Sequence, residues 1–204
     1  GSAVGMRGSL NGMGVLQNAN NTGLHLSGRP VPSLTSYVAV WSGVFLGAPS
    51  GSTPKLMGIS DTSTSQSLDV IGIELLSSTQ LQVTFKSNTT HSNRSFTNTV
   101  PDYNVPATIV AAYDSRLGEI RLHVCSNGIT ESFSSTVSSP SAPTIDGTEV
   151  YCVGPDLVEA PTRYCNVITA MALIAQDVGG AGMEREIAQN PWRLFASPPR
   201  LWLD

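Results

Sequence analysis

Apolar and polar residues alternate along much of the chain. Ile120, Leu122 and Val124 alternate with Glu119, Arg121, His123 and Cys125, which predicts a strand with one apolar and one polar face over 118–125. Leu81, Val83 and Phe85 alternate in the same way with Gln82, Thr84 and Lys86. Further strands are expected at 37–46, which holds Trp41 and Phe45, and at 70–76, 108–113 and 149–154. The apolar run 166–175 contains Val167, Ile168 and Thr169, whose β-branched side chains favour a strand buried on both faces over a helix.

Turn-forming residues separate these runs. Asp114-Ser115-Arg116-Leu117-Gly118 joins two alternating segments at hairpin spacing, and Ser126-Asn127-Gly128 reads as a tight turn. The segment 48–54 is a loop, and the Ser/Thr-rich stretches 60–67 and 134–144 are expected to be surface loops. One helix is expected, over 182–189, stopped by Asn190-Pro191. The preceding Gly179-Gly180 pair is expected simply to turn the chain into it. Many strands and one late helix imply an antiparallel sandwich using most of the chain, hence one domain over 1–204. Residues 1–26 would be an arm or an edge strand, and residues 190–204 an aromatic tail. Trp41 should lie in the core, and Trp192 and Phe195 should plug the edge of the sandwich.

Composition sharpens this picture. Charged residues make up 13% of the 204, against about 25% in an average globular chain. That disfavours helical bundles and coiled coils. A net charge of −4 disfavours a nucleic-acid binder, which needs a basic stripe. No apolar run is long enough to span a bilayer, and Gly1 to Gly8 lack a signal-peptide pattern. Cys125, Cys152 and Cys165 are far apart and form no C-x-x-C pair. They are expected to be free thiols of a protein made in a reducing cytosol, with no metal and no cofactor.

The hairpin segment 107–124 with Asn127-Gly128 resembles a concanavalin A-like or laminin-G-like jelly roll. The strand at 167–174, the short helix with Glu184-Arg185-Glu186-Ile187, and the ending Asn190-Pro191-Trp192-Arg193-Leu194-Phe195 are similar to the C-terminus of jelly-roll proteins of tailed bacteriophages and prophages. The resemblance covers about half the chain. It implies an all-β, antiparallel jelly-roll β-sandwich with one short C-terminal helix. It also implies a structural role on a virion assembled in the bacterial cytoplasm, as a homo-oligomer in contact with other virion proteins. Relatives of this fold include glycan binders, capsid decoration proteins and glycoside hydrolases, so the fold alone does not choose.

Catalysis is not expected. Glycoside hydrolysis needs two carboxylates flanking the bond, and the acidic triplet E-x-D-x-x-E of related glucanases is missing. Glu184 and Glu186 diverge on a helix. Glu119, Arg121 and His123 share a polar strand face and read as a solvated surface, so replacing Glu119 or His123 is expected to leave folding intact. No G-x-S-x-G, H-E-x-x-H, Walker or dinucleotide pattern occurs. No calcium loop occurs either, although Asp114 and Asp156 are acidic residues of the kind that could serve. Glycan sites on β-sandwiches pair a ring with polar side chains. The candidates are His91 and Arg94 in a polar loop, Tyr103 just before a strand, and Asp114 with Arg116 at the hairpin. The resulting expectation is a non-enzymatic virion surface protein, acting in capsid decoration or in attachment to a host-surface glycan. A glycoside hydrolase or a free lectin of the same fold is the alternative.

Overall fold

The computed structural model describes residues 5–10, 13–18, 24–27, 35–45, 55–60, 69–87, 90–97, 99–137, 140, 150–153, 166–174 and 178–194. In chain order the strands are β1 (Gly5–Leu10), β2 (Met13–Asn18), β3 (Leu24–Ser27), β4 (Ser36–Phe45), β5 (Lys55–Ser60), β6 (Asp69–Leu75) and β7 (Gln80–Ser87). They continue as β8 (Thr90–Thr97), β9 (Pro106–Asp114), β10 (Glu119–Ser126), β11 (Ile129–Thr136), β12 (Val150–Val153) and β13 (Asn166–Ile174). Helix α1 (Ala181–Gln189) follows, and then a 3-10 turn over Pro191–Leu194.

The strands form two antiparallel sheets, ordered β1-β2-β13-β4-β9-β10-β11 and β3-β12-β5-β6-β7-β8. The architecture is the antiparallel β-sandwich that alternation and turns predicted, of the jelly-roll type that the resemblance implied. The β9–β10 hairpin and the helix fall where expected. Residue 26 belongs to β3, and both β1 and β3 are edge strands of their sheets. The 166–174 run is a strand set between β2 and β4. Phe195 and the rest of the C-terminal tail lie outside the described residues.

Period-two alternation decides which side chains meet. On β4, Tyr37, Ala39 and Trp41 enter the core between the sheets; on β9, Ala107, Ile109, Ala111 and Tyr113 do the same. They pack against Leu56, Ile73, Leu75, Leu81, Val83 and Phe85 of the facing sheet. Phe85 and Tyr113 stack across the two layers with ring centroids 4.7 Å apart. The intervening residues Val38, Val40, Val110 and Ala112 point to the other face, where Ile187 and Ala188 of α1 cover them. The longer sheet is thus apolar on both faces at its centre, which explains why β4 and β9 read as nearly continuous apolar runs.

Two stretches expected to be loops are strands. His91 and Arg94 lie on β8, opposite Lys86 and Val83 of β7. Residues 134–136 belong to β11, opposite Glu119 to Arg121. Both strands are edges of their sheets, and edge strands favour polar residues that discourage pairing with another chain. Polarity there reports edge position, not irregular backbone.

Candidate functional site

Helix α1 joins two sites on the outer face of the longer sheet. At its start, Gly179 and Gly180 adopt φ of 103° and 81°, a region open to glycine and strained for other residues. This turn lays the helix across β9 and β10. The helix then carries Glu184 on the same stripe as Ile187 and Ala188, one turn apart, and all three are buried.

Glu184 meets the polar face of β10. Arg121 donates from Nη2 to Glu184 Oε1 at 2.7 Å and from Nε to Oε2 at 2.9 Å. Its Nη1 donates to Glu119 Oε2 at 2.9 Å. His123 Nε2 lies 3.0 Å from Glu184 Oε2, and its Nδ1 lies 2.8 Å from Ser132 Oγ on β11. Glu184 is 0% exposed, His123 3% and Arg121 8%. The Glu119, Arg121 and His123 face is therefore not a solvated surface. The helix covers it, and the strand supplies the charges that Glu184 needs.

Electrostatics follow from this packing. Burial works to raise the Glu184 carboxyl, but hydrogen bonds from His123 and Arg121 and the Arg121 charge outweigh it and hold the group below the usual carboxylate range. The Arg121 guanidinium is pushed above its ordinary value, first by its hydrogen bonds to Glu184. A fully buried carboxylate held by a guanidinium and an imidazole is built to hold a helix. It is poorly placed to reach a substrate.

At its other end, α1 opens onto a cleft of about 320 Å³, near the lower bound for small-molecule sites. Its floor is the end of β4 and the start of β9, where Ser42 and Thr108 pair across the strands and share a 3.1 Å hydrogen bond. The half-buried free thiol of Cys125 and the Asn127-Gly128 turn form one wall. Asn127 and Gly128 have φ of 55° and 78°, a mirror-image turn that suits the twist of a hairpin. Gln189, Asn190 and Trp192 line it as well. Trp192 is half-buried there. The buried residue of that turn is Pro191, with Leu194 packed against the outer cluster. No residue lining this cleft is charged among those described.

Of the residues singled out from sequence, Asp114 and Arg116 are joined, but the set does not form one site. Tyr103 sits in the turn before β9 and packs partly against the inner core. Its hydroxyl is buried without a hydrogen-bond partner. Asp114 is the last residue of that strand, with roughly 25 Å of extended chain between them. There Arg116 binds it through Nε–Oδ1 at 3.0 Å and Nη2–Oδ2 at 2.7 Å, and the Arg116 backbone N–H donates to Oδ1 at 2.9 Å. The Arg116 side-chain hydrogen bond, first among the causes, holds the Asp114 carboxyl below its usual range against the effect of burial. His91 and Arg94 lie on β8 of the other sheet. Among the described residues no cluster of three His, Cys, Asp or Glu side chains is placed to hold a metal, and Asp156 lies outside them. No described helix is long and apolar enough to cross a membrane.

Sequence reasoning missed both Glu184 as a buried group and Trp192 as a cleft residue. The signal for Glu184 was its place three and four residues before Ile187 and Ala188, on the apolar stripe of the helix. No comparable signal marked the cleft, because its walls come from strands, a turn and a helix end far apart in the chain.

Comparison of the whole fold adds a second line. The CBM40 module of the Ruminococcus gnavus IT-sialidase, bound to α2,3-sialyllactose, superposes with a TM-score of 0.59 at 11% identity, over 85% of this chain and 97% of the module. The chain shares the fold of a sialidase carbohydrate-binding module. The K499G mutant of the NanB sialidase of Streptococcus pneumoniae gives a TM-score of 0.61 at 18% identity over 86% of this chain. A leech intramolecular trans-sialidase gives 0.55 at 8% identity over 85%. The chain spans 28% and 27% of those two sialidases. No family profile and no curated protein sequence matches this chain.

Proposed function

We propose that this chain is a non-enzymatic glycan-binding module and that its site is the cleft at the C-terminal end of α1. The observation that carries the reading is the cleft's lining: one tryptophan, three amide and two hydroxyl side chains among apolar neighbours such as Val44 and Pro106, around about 320 Å³. A ring face suits the C–H face of a pyranose, and the amides of Asn127, Gln189 and Asn190 both donate and accept hydrogen bonds with sugar hydroxyls. Agreement in fold with a carbohydrate-binding module over nearly its whole length supports the same reading. The non-enzymatic part is supported by the state of the carboxylates. Glu119 and Glu184 both bind Arg121, and Glu184 has no exposed surface.

The direct test is a glycan array probed with the intact chain and with Trp192→Ala. Binding to a saccharide class that is lost in the variant supports the reading; no binding by the intact chain overturns it. We further propose that the module works on a phage or prophage particle, as a homo-oligomer, in attachment to the host surface. The support is the ending Asn190-Pro191-Trp192-Arg193-Leu194-Phe195, similar to that of phage jelly-roll proteins, whose Trp192 is the cleft residue. Immunogold labelling confined to tail tips or fibres would support attachment. Label spread over the head would favour capsid decoration, and absence from particles would remove the virion role.

A further inference from the structure

We infer that the cleft is selective for neutral saccharides and discriminates against glycans ending in a carboxylate, an inference that rests on the glycan-binding reading above. An anionic sugar that leaves water needs a cation or a convergent set of donors. The polar side chains lining this cleft are the amides of Asn127, Gln189 and Asn190, the hydrogen-bonded hydroxyls of Ser42 and Thr108 and the Cys125 thiol, set beside Trp192 and the apolar Val44, Pro106 and Pro191. None is charged.

The helix end works in the same direction. A helix presents carbonyl oxygens and a partial negative charge at its C-terminus, and α1 has no basic residue in its last turn to offset it. Carbonyl oxygens accept hydrogen bonds from hydroxyls and repel a carboxylate. Of the basic groups near it along the chain, Arg185 is exposed on α1 and is not among the lining residues, and the other two are paired. Arg193 pairs with Glu186 on the exposed side of the helix, and Arg121 is closed under α1 by Glu184. The cleft therefore favours an uncharged, hydroxyl-rich ligand, unlike the sialylated one named for the R. gnavus module.

An array of matched neutral and sialylated oligosaccharides tests this. The expected result is binding to neutral members at least tenfold stronger than to their sialylated partners, lost in Trp192→Ala. Gln189→Arg should narrow that preference by placing a guanidinium at the exposed rim. Stronger binding of the sialylated partners would overturn the neutral preference and leave glycan binding standing. The same preference in intact protein and in Gln189→Arg would show that the charge of the cleft does not set selectivity. No binding to either set would overturn glycan binding itself, and the neutral preference with it.

Discussion

The two ends of α1 meet the same sheet in opposite ways. Near its start, Glu184 enters the sheet surface and binds Arg121 and His123, closed off from solvent. At its end, the helix opens onto a cleft whose lining carries no charge among the described residues. The ionisable groups hold the helix, and on the proposed reading the neutral ones contact the ligand. A chain with only 13% charged residues places several of its few charges where they fix one helix to one strand. The end of that helix, Ala188 and Gln189, lines the cleft.

Removing the anchor should have the largest effect. Glu184→Ala leaves Arg121 and His123 buried without their shared carboxylate. It should destabilise by about 3–5 kcal/mol, or roughly 10 °C in Tm, in thermal or denaturant unfolding. Glu184→Gln keeps the shape and should lose less. A Tm within a degree of the parent for both variants would refute the anchoring role and blur the contrast between the two ends.

Acidification probes the same end. Glu184 titrates below its unfolded value of 4.5, so its contribution to stability is fully present above that pH. It is lost as pH falls through the lower folded value. Stability measured by urea unfolding should fall below about pH 4.5 in the parent, and the fall should be shallower in Glu184→Gln. Equal slopes in the two proteins would place the acid sensitivity elsewhere.

Trp192→Ala probes the other end. Saccharide affinity should drop at least tenfold, while stability falls by less than the about 3–5 kcal/mol typical of a fully buried aromatic, because the ring is only half-buried. A large loss of stability with unchanged binding would return Trp192 to a packing role. The smallest effect is expected at Asp114→Asn. Its partner Arg116 is 59% exposed in the side chain, so unfolding should shift by about 1 kcal/mol or less, with saccharide binding unchanged.

How far these features could be read from sequence follows from their range along the chain. Alternation in 81–85 and 119–125 located β7 and β10, and Asn127-Gly128 located the turn after β10, because a strand face and a turn are set by neighbouring residues. Edge strands β8 and β11 escaped because they are rich in Ser and Thr, with Asn in β8, the residues that also mark loops. The polar face of β10 looks solvated in the sequence because Glu184, which covers it, comes 63 residues after Arg121. The cleft was invisible for the same reason. Ser42, Thr108, Asn127 and Trp192 meet only once β4, β9, β10 and α1 are assembled. The candidates chosen instead, Tyr103 and the Asp114–Arg116 pair, were legible because each is a local cluster, yet they sit at opposite ends of β9.

The measurement that bears most directly on the cleft is an NMR titration of the isotope-labelled chain with the strongest-binding neutral oligosaccharide from the array. The expected result is a set of shift changes centred on the Trp192 indole and on the Asn127, Gly128 and Gln189 amides. Changes centred on Tyr103, on His91 and Arg94, or on the Asp114–Arg116 hairpin, with Trp192 unmoved, would contradict it.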